Sequence, residues 1–296
     1  MPVSSAPVTR ARLEALLGAR RLDITLATAG PPDRAPDALA TGVPGLDDRL
    51  GGGLPRGELS EIVGPRSSGR TSVLAALLAS ATRQGEMAAL VDGLDQFDPP
   101  SGAAAGIVLS RLLWVRGPAV GASGPSDARV GARTRRVEGD LLTMAVTRAI
   151  KAFGLILQAG GFGLVGLDLA DVPPAALQRL PFTTWRRLHR MVEGTDTACA
   201  LLASTPTARS AGGVTVLLGE SQERRACWSG ESERARLLAG IDVAARVART
   251  RLAPAQGHPV RLSFHAGELP IRDLPQPCPP ADHPNGTTAR LEERSV

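Results

Sequence analysis

The chain has 296 residues, 43% apolar and 21% charged, with a net charge of +5, a length and balance that fit one substantial core with polar ends. No stretch approaches the roughly 20 uninterrupted apolar residues of a membrane span, and residues 1–20 lack the apolar centre of a signal peptide, so no membrane role is expected and the expected compartment is the cytoplasm. The basic excess is almost wholly arginine, Lys151 being the only lysine, and lends only slight support to a nucleic-acid partner.

In chain order, residues 7–22 place Leu13, Leu16 and Leu17 at helical spacing after Thr9, predicting a short amphipathic helix. The Pro-, Asp- and Ala-rich residues 29–40 read as a linker. An apolar strand at 59–63 is followed by a glycine-bounded loop, a helix over 72–82, a buried strand at 87–92 and another short strand at 111–116. Residues 117–136 lack periodicity and read as a mobile loop. A helix at 140–158, a strand at 163–168 ending in a carboxylate, an arginine-rich helix at 181–192 and a strand at 197–204 follow. This alternation predicts an α/β fold, a mainly parallel sheet flanked by helices. Strand-like runs at 214–219, 224–228, 241–251 and 259–265 come without helices between them, so antiparallel strands are expected at one end. The expected division is an N-terminal helix (1–28), a linker (29–40), a core domain (41–270) and a disordered tail (271–296). Cys199, Cys227 and Cys278 are widely spaced and unpaired by any CxxC, so plain thiols are expected.

The chemistry centres on the loop Gly64, Pro65, Arg66, Ser67, Ser68, Gly69, Arg70, Thr71, Ser72. A strand that ends in such a loop and opens a helix directs backbone N–H groups and the helix dipole at one anion. The spacing is that of the phosphate loop GxxxxGK[ST], with Arg70 where the pattern has lysine. A guanidinium is larger and planar, and does not replace an ammonium in a cradle shaped around phosphates.

The phrase TGVPGLDDRLGGGLPRGELSEIVGPRSSGRTS, with AALVDGLDQFDP after it, resembles the RecA recombinase family; the similarity can be followed with gaps to Gly267. The resemblance implies a RecA-like P-loop NTPase core that binds ATP and Mg2+, with magnesium at Thr71 and Asp168 and the adenine edge at Asp98. It also shows departures. Ser101 replaces the family's stacking tyrosine, and Leu94 stands where a glutamate orients the attacking water, with Asp95 one position on as the alternative carboxylate. The family's two DNA loops are compressed into residues 170–179 and 205–213. Arg179, Arg186, Arg187, Arg209, Arg224 and Arg225 are candidates for tracking single-stranded DNA, the alternative being solvated surface charge. Arg249 and Arg251 match the basic pair that reaches a neighbour's ATP across a protomer interface, or are two exposed charges on an edge strand. The N-terminal helix docks either on its own core or on a neighbour, the latter giving a homo-oligomer.

With LPFTTWRRLHRMVEGTDTACALLASTP, the altered loop and the missing glutamate are similar to the ImuA group of RecA-related accessory proteins. That resemblance implies a nucleoid-associated role in damage-induced translesion synthesis, alongside a Y-family polymerase-like protein and an error-prone polymerase subunit, with weak ATP binding and little hydrolysis. The alternatives are a DNA-dependent ATPase or recombinase of the RecA family and a cell-division inhibitor of the SOS response.

Overall fold

Four strands made almost entirely of small and aliphatic residues set the architecture. β3 (Leu59–Val63), β4 (Ala88–Asp92) and β7 (Ala198–Ala203) are buried at every position, and β6 (Leu164–Asp168) at all but its terminal carboxylate, as expected of strands covered on both faces of a parallel sheet. The computed structural model describes residues 38–118, 132–208, 212–219, 224–230, 236–249 and 259–265. With β5 (Leu112–Arg116) and β8 (Gly212–Leu218), these strands form a parallel block in the order β8-β3-β7-β6-β4-β5. β10 (Leu237–Arg249) runs antiparallel to β8, and both β9 (Arg225–Ser229) and β11 (Val260–His265) pair antiparallel with β10. The mixed α/β sheet and its antiparallel end are as the sequence predicts.

Side chains alternate across the sheet and so build two cores. On one face α1 (Pro44–Leu50) and α2 (Arg70–Arg83) bring Leu46, Leu74, Leu77 and Leu78 together with Ile62, Leu90 and Val216. On the other, Phe153 of α4 (Ala132–Ala159) and Trp185 and Leu188 of α6 (Phe182–Val192) pack with Val91, Val165 and Leu201. Helix α6 buries Trp185, Leu188 and Val192 and exposes Arg186, Arg187 and Arg190, an amphipathic pattern with an arginine outer face.

Several local expectations change. Strand β1 (Ala38–Leu39) pairs with β2 (Leu54–Pro55) and lies within the segment expected as linker. Helix α4 begins at Ala132, so the end of the segment expected as loop is helical backbone. Two short helices were not foreseen: α3 (Pro99–Ala104) and, within a segment expected as a loop, α5 (Pro174–Gln178); each opens on proline, whose fixed φ suits a first helical turn. Cys199 is buried and free, its thiol pushed up by burial, whereas Cys227 is in a disulfide, which corrects the expectation of three plain thiols. Among the described residues no helix is long and apolar enough to cross a membrane. The N-terminal helix and the C-terminal tail lie outside the described residues.

Two buried carboxylates fasten loops to the sheet. Asp92 is 1% exposed and accepts from Gln96 N–H (2.9 Å), Phe97 N–H (2.7 Å) and Trp114 Nε1 (3.3 Å). Glu61, buried within β3, accepts from the N–H groups of Thr207 (2.8 Å) and Ala208 (2.6 Å) after β7. Removing such an acceptor strands its donors. Asp92→Ala should therefore lower stability by about 2–4 kcal/mol, and Asp92→Asn, which keeps one acceptor oxygen, by less; thermal unfolding of the two variants beside wild type measures the order.

Candidate nucleotide site

The carboxyl ends of parallel strands form the edge at which α/β proteins bind ligands, and β3, β4 and β6 end there in Val63, Asp92 and Asp168. A cavity of about 300 Å3 opens at that edge, lined by residues that include Arg70, Thr71, Leu94, Phe97, Asp98, Asp168 and Asp171.

The loop between β3 and α2 depends on its two glycines. A Cβ on Gly64 would stand 2.3 Å from Ser68 Oγ and 2.8 Å from the Leu218 carbonyl oxygen. Gly69 caps α2 at φ 82°, a left-handed conformation that side chains disfavour. No side chain caps α2, so its first N–H groups remain available to an anion. Ser68 Oγ is buried without a hydrogen-bond partner, and Thr71 is exposed at the mouth of the cavity. These features fit a phosphate.

Arg70 does not present its charge to the cradle. It is 5% exposed, and its guanidinium folds back so that Nη1 donates to the Gly64 carbonyl (2.7 Å) and Nη2 to Asp171 Oδ1 (2.6 Å). Arg66 Nε donates to the same Asp171 oxygen (3.2 Å), and Arg224 Nη1 to the Arg66 carbonyl (3.0 Å). The loop cation is thus neutralised from within the fold. Asp171 is the residue that sequence reasoning missed; its only signal was a carboxylate three positions beyond Asp168, near an arginine that needed a partner.

Asp168 ends β6 beside Asp92, its register partner on β4, and accepts from the Ala170 N–H (2.9 Å). Burial pushes its carboxyl up to about 6, Asp92 and Asp171 add to the rise, and the Ala170 N–H and Arg70 oppose it. Thr71 and Asp168 line the same cavity. Among the described residues no group of three or more His, Cys, Asp or Glu could hold a metal by itself.

The residues expected at the adenine edge are partly engaged elsewhere. Asp98 lines the cavity but caps α3, one oxygen accepting from Ser101 N–H (3.0 Å) and Ser101 Oγ (2.5 Å), and these bonds hold its carboxyl below the usual range. Phe97 also lines the cavity and meets Trp114 edge-on at 5.3 Å. Leu94, 7% exposed, belongs to the apolar core beneath the cavity wall and carries no proton-accepting atom. Asp95, the alternative carboxylate, faces away from the cavity. Its carboxylate is outside the cavity lining, gripped by Arg116 through Nε (2.7 Å) and Nη2 (2.8 Å), and that pairing holds its pKa down. A left-handed backbone at Asp95 (φ 59°) accompanies this placement. Gln96 lines the cavity instead, its Nε2 donating to the Leu94 carbonyl (3.1 Å).

The candidate DNA arginines occupy several elements. Arg179 follows α5, and Arg186 and Arg187 lie on the exposed face of α6. Arg224 adjoins the phosphate loop, and Arg225 begins β9, on which Trp228 is 58% exposed. Arg249 ends β10, while Arg209 and Arg251 lie outside the described residues.

Residues 26–124 match the family model of the RecA N-terminal domain. This stretch is similar to RecA. Over 78 residues, 26% of this chain, it is 46% identical to the protein RecA of Ectopseudomonas oleovorans, of which it covers 22%. It is 42% identical over 78 residues to the protein RecA of Clostridioides difficile, with the same two shares. For the protein RecA of Nostoc punctiforme the identity is 44% over 77 residues, 26% of this chain and 21% of the relative. The chain therefore spans about a fifth of the length of the curated relatives it matches. The matched region carries β3, the phosphate loop, α2, β4 and β5.

Two outcomes follow from this geometry. Asp171→Asn should lower the melting temperature without ligand, because Arg70 loses its buried counter-charge, and tighten MgATP binding roughly tenfold as the guanidinium turns to phosphate; calorimetric titration and thermal shift read both. A raised carboxylate pKa lowers stability as pH climbs from the unfolded value towards about 6, and the cost persists above it. Asp168→Asn should thus stabilise the ligand-free protein by on the order of 2 kcal/mol at pH 8, with the gain vanishing below pH 4, as unfolding at stepped pH would measure.

Proposed function

We propose that this chain is a RecA-like accessory protein of DNA repair that binds ATP with Mg2+ weakly and turns it over little or not at all. The observation that carries this reading is the pairing of a glycine-bounded phosphate cradle with an apolar residue where the resemblance puts the water-orienting glutamate: Leu94 belongs to the core and Asp95 is held by Arg116. The backbone of residues 67–71 would receive the phosphates, Thr71 and Asp168 the magnesium, and Asp98 the adenine edge. What the nucleotide supplies is its phosphate charge, which competes with Asp171 for Arg70. The resemblance to the ImuA group extends the reading to damage-induced translesion synthesis, with a Y-family polymerase-like protein and an error-prone polymerase subunit as partners. Single-stranded DNA would be held without sequence preference by arginine contacts to phosphate, and Trp228, exposed on β9, offers a surface on which a base can stack. A homo-oligomer, with Arg249 and Arg251 at its interface, is part of the same reading.

A DNA-dependent ATPase is the second reading, favoured by Thr71 and Asp168 in one cavity. A phosphate-release assay with and without single-stranded DNA separates the two. Accessory function expects turnover near background and a rise of roughly tenfold or more for Leu94→Glu, which restores a carboxylate to the wall; brisk DNA-stimulated turnover by wild type would support the ATPase. Trp228→Ala should weaken single-strand binding by about 1–3 kcal/mol, with a steep salt dependence in both proteins, measured by filter binding.

A further inference from the structure

A second cavity, of about 480 Å3, runs between α4 and α6 and shares no lining residue with the nucleotide cavity. Ile150, Gly154 and Leu188 give it an apolar base, and Leu155 beside it is 67% exposed, an aliphatic side chain left in water. Among the described residues its charged lining side chains are Lys151 and Arg187, one from each helix, and no carboxylate is among them. The exposed neighbours Arg148, Arg186 and Arg190 extend the same sign.

Gly154 shows that the groove is not left open for want of room. Glycine is disfavoured within a helix, yet a Cβ at this position would meet Leu188 Cδ2 and Met191 Sδ at 3.7 Å, ordinary contact distances. Packing would accept an alanine Cβ there, and the glycine keeps the groove clear along its middle. The lining positions on α4 run from Thr147 to Gln158, a length of roughly 17 Å or three helical turns.

Charge selects the occupant. A second copy of this chain would set cationic surface against cationic surface. The chain's own N-terminal segment carries Arg10, Arg12, Arg20 and Arg21 against Glu14 and Asp23, so it too has the wrong sign. We propose that the α4–α6 groove docks a short acidic amphipathic helix of a partner protein, its apolar side on Ile150, Gly154 and Leu188 and its carboxylates on Lys151 and Arg187. This is the helix-in-groove mode of peptide recognition, with the two cations supplying selection for sign.

The test uses the full chain and a displayed library of random peptides about four helical turns long. The library is panned on wild type and counter-selected on the Lys151→Glu/Arg187→Glu double variant. Expected is enrichment of peptides with Asp or Glu and with bulky apolar residues at i, i+3 and i+4. The best synthetic peptide should bind roughly tenfold or more weaker to the double variant by fluorescence anisotropy. Gly154→Met, which fills the groove without touching its charge, should cause a comparable loss while the melting temperature stays near wild type. The proposal is overturned if no peptide distinguishes the two proteins, if those that do lack acidic residues, or if Gly154→Met binds as wild type does. It is equally overturned if light scattering finds a dimer that the same substitutions dissolve, since a second copy would then own the surface.

Discussion

Arg70 lies inside a loop whose backbone donors all favour negative charge, so its guanidinium has to be matched before the loop can close. The Gly64 carbonyl and the Asp171 carboxylate provide that match at 2.7 and 2.6 Å. A buried charge with such partners is tolerated, and one without them is costly. The conformation of the loop, the seat of Arg66 on Asp171 and the contact of Arg224 with the Arg66 carbonyl all follow from satisfying this one cation. A phosphate entering the cradle would compete with a carboxylate already there.

Sheet order supplies the rest of the site. Because β4 and β6 are neighbours in register, Asp92 and Asp168 end side by side, and two adjacent carboxylates at the mouth of a cavity cannot share one task. Asp92 is consumed by the turn that follows it, accepting from two amides and an indole. Asp168 accepts from the Ala170 N–H, and burial pushes its carboxyl up to about 6, so among the described residues it is the less engaged of the two.

The fold was legible where burial leaves a mark on composition. LSEIV, AALVD, LVGLD and ACALLA read as buried strands and are buried strands. Helix α6 was legible because arginines and core residues alternate along it with helical period. Short elements were not. Pro99–Ala104 and Pro174–Gln178 are too brief to show a period, and their proline starts read equally well as turns. Around the cavity, the loop was legible from its spacing and Thr71 and Asp168 from the family resemblance, whereas Asp171 was not, because its contact with Arg70 spans 101 residues of sequence. Asp95 shows the same limit from the other side: one residue from a motif position, its side chain is turned to β5 by a left-handed backbone that composition does not reveal.

Glu61 places its carboxylate in the middle of the strand that ends in the phosphate loop, and it holds the amides of Thr207 and Ala208 beyond β7. That strand is enclosed by β7 on one side and β8 on the other, with apolar layers above and below, so it has no slack along its axis. The two loops are therefore joined by a stiff rod. A signal passing from one to the other cannot travel as a sliding of β3; it has to be carried by the making or breaking of individual contacts at the ends of the rod.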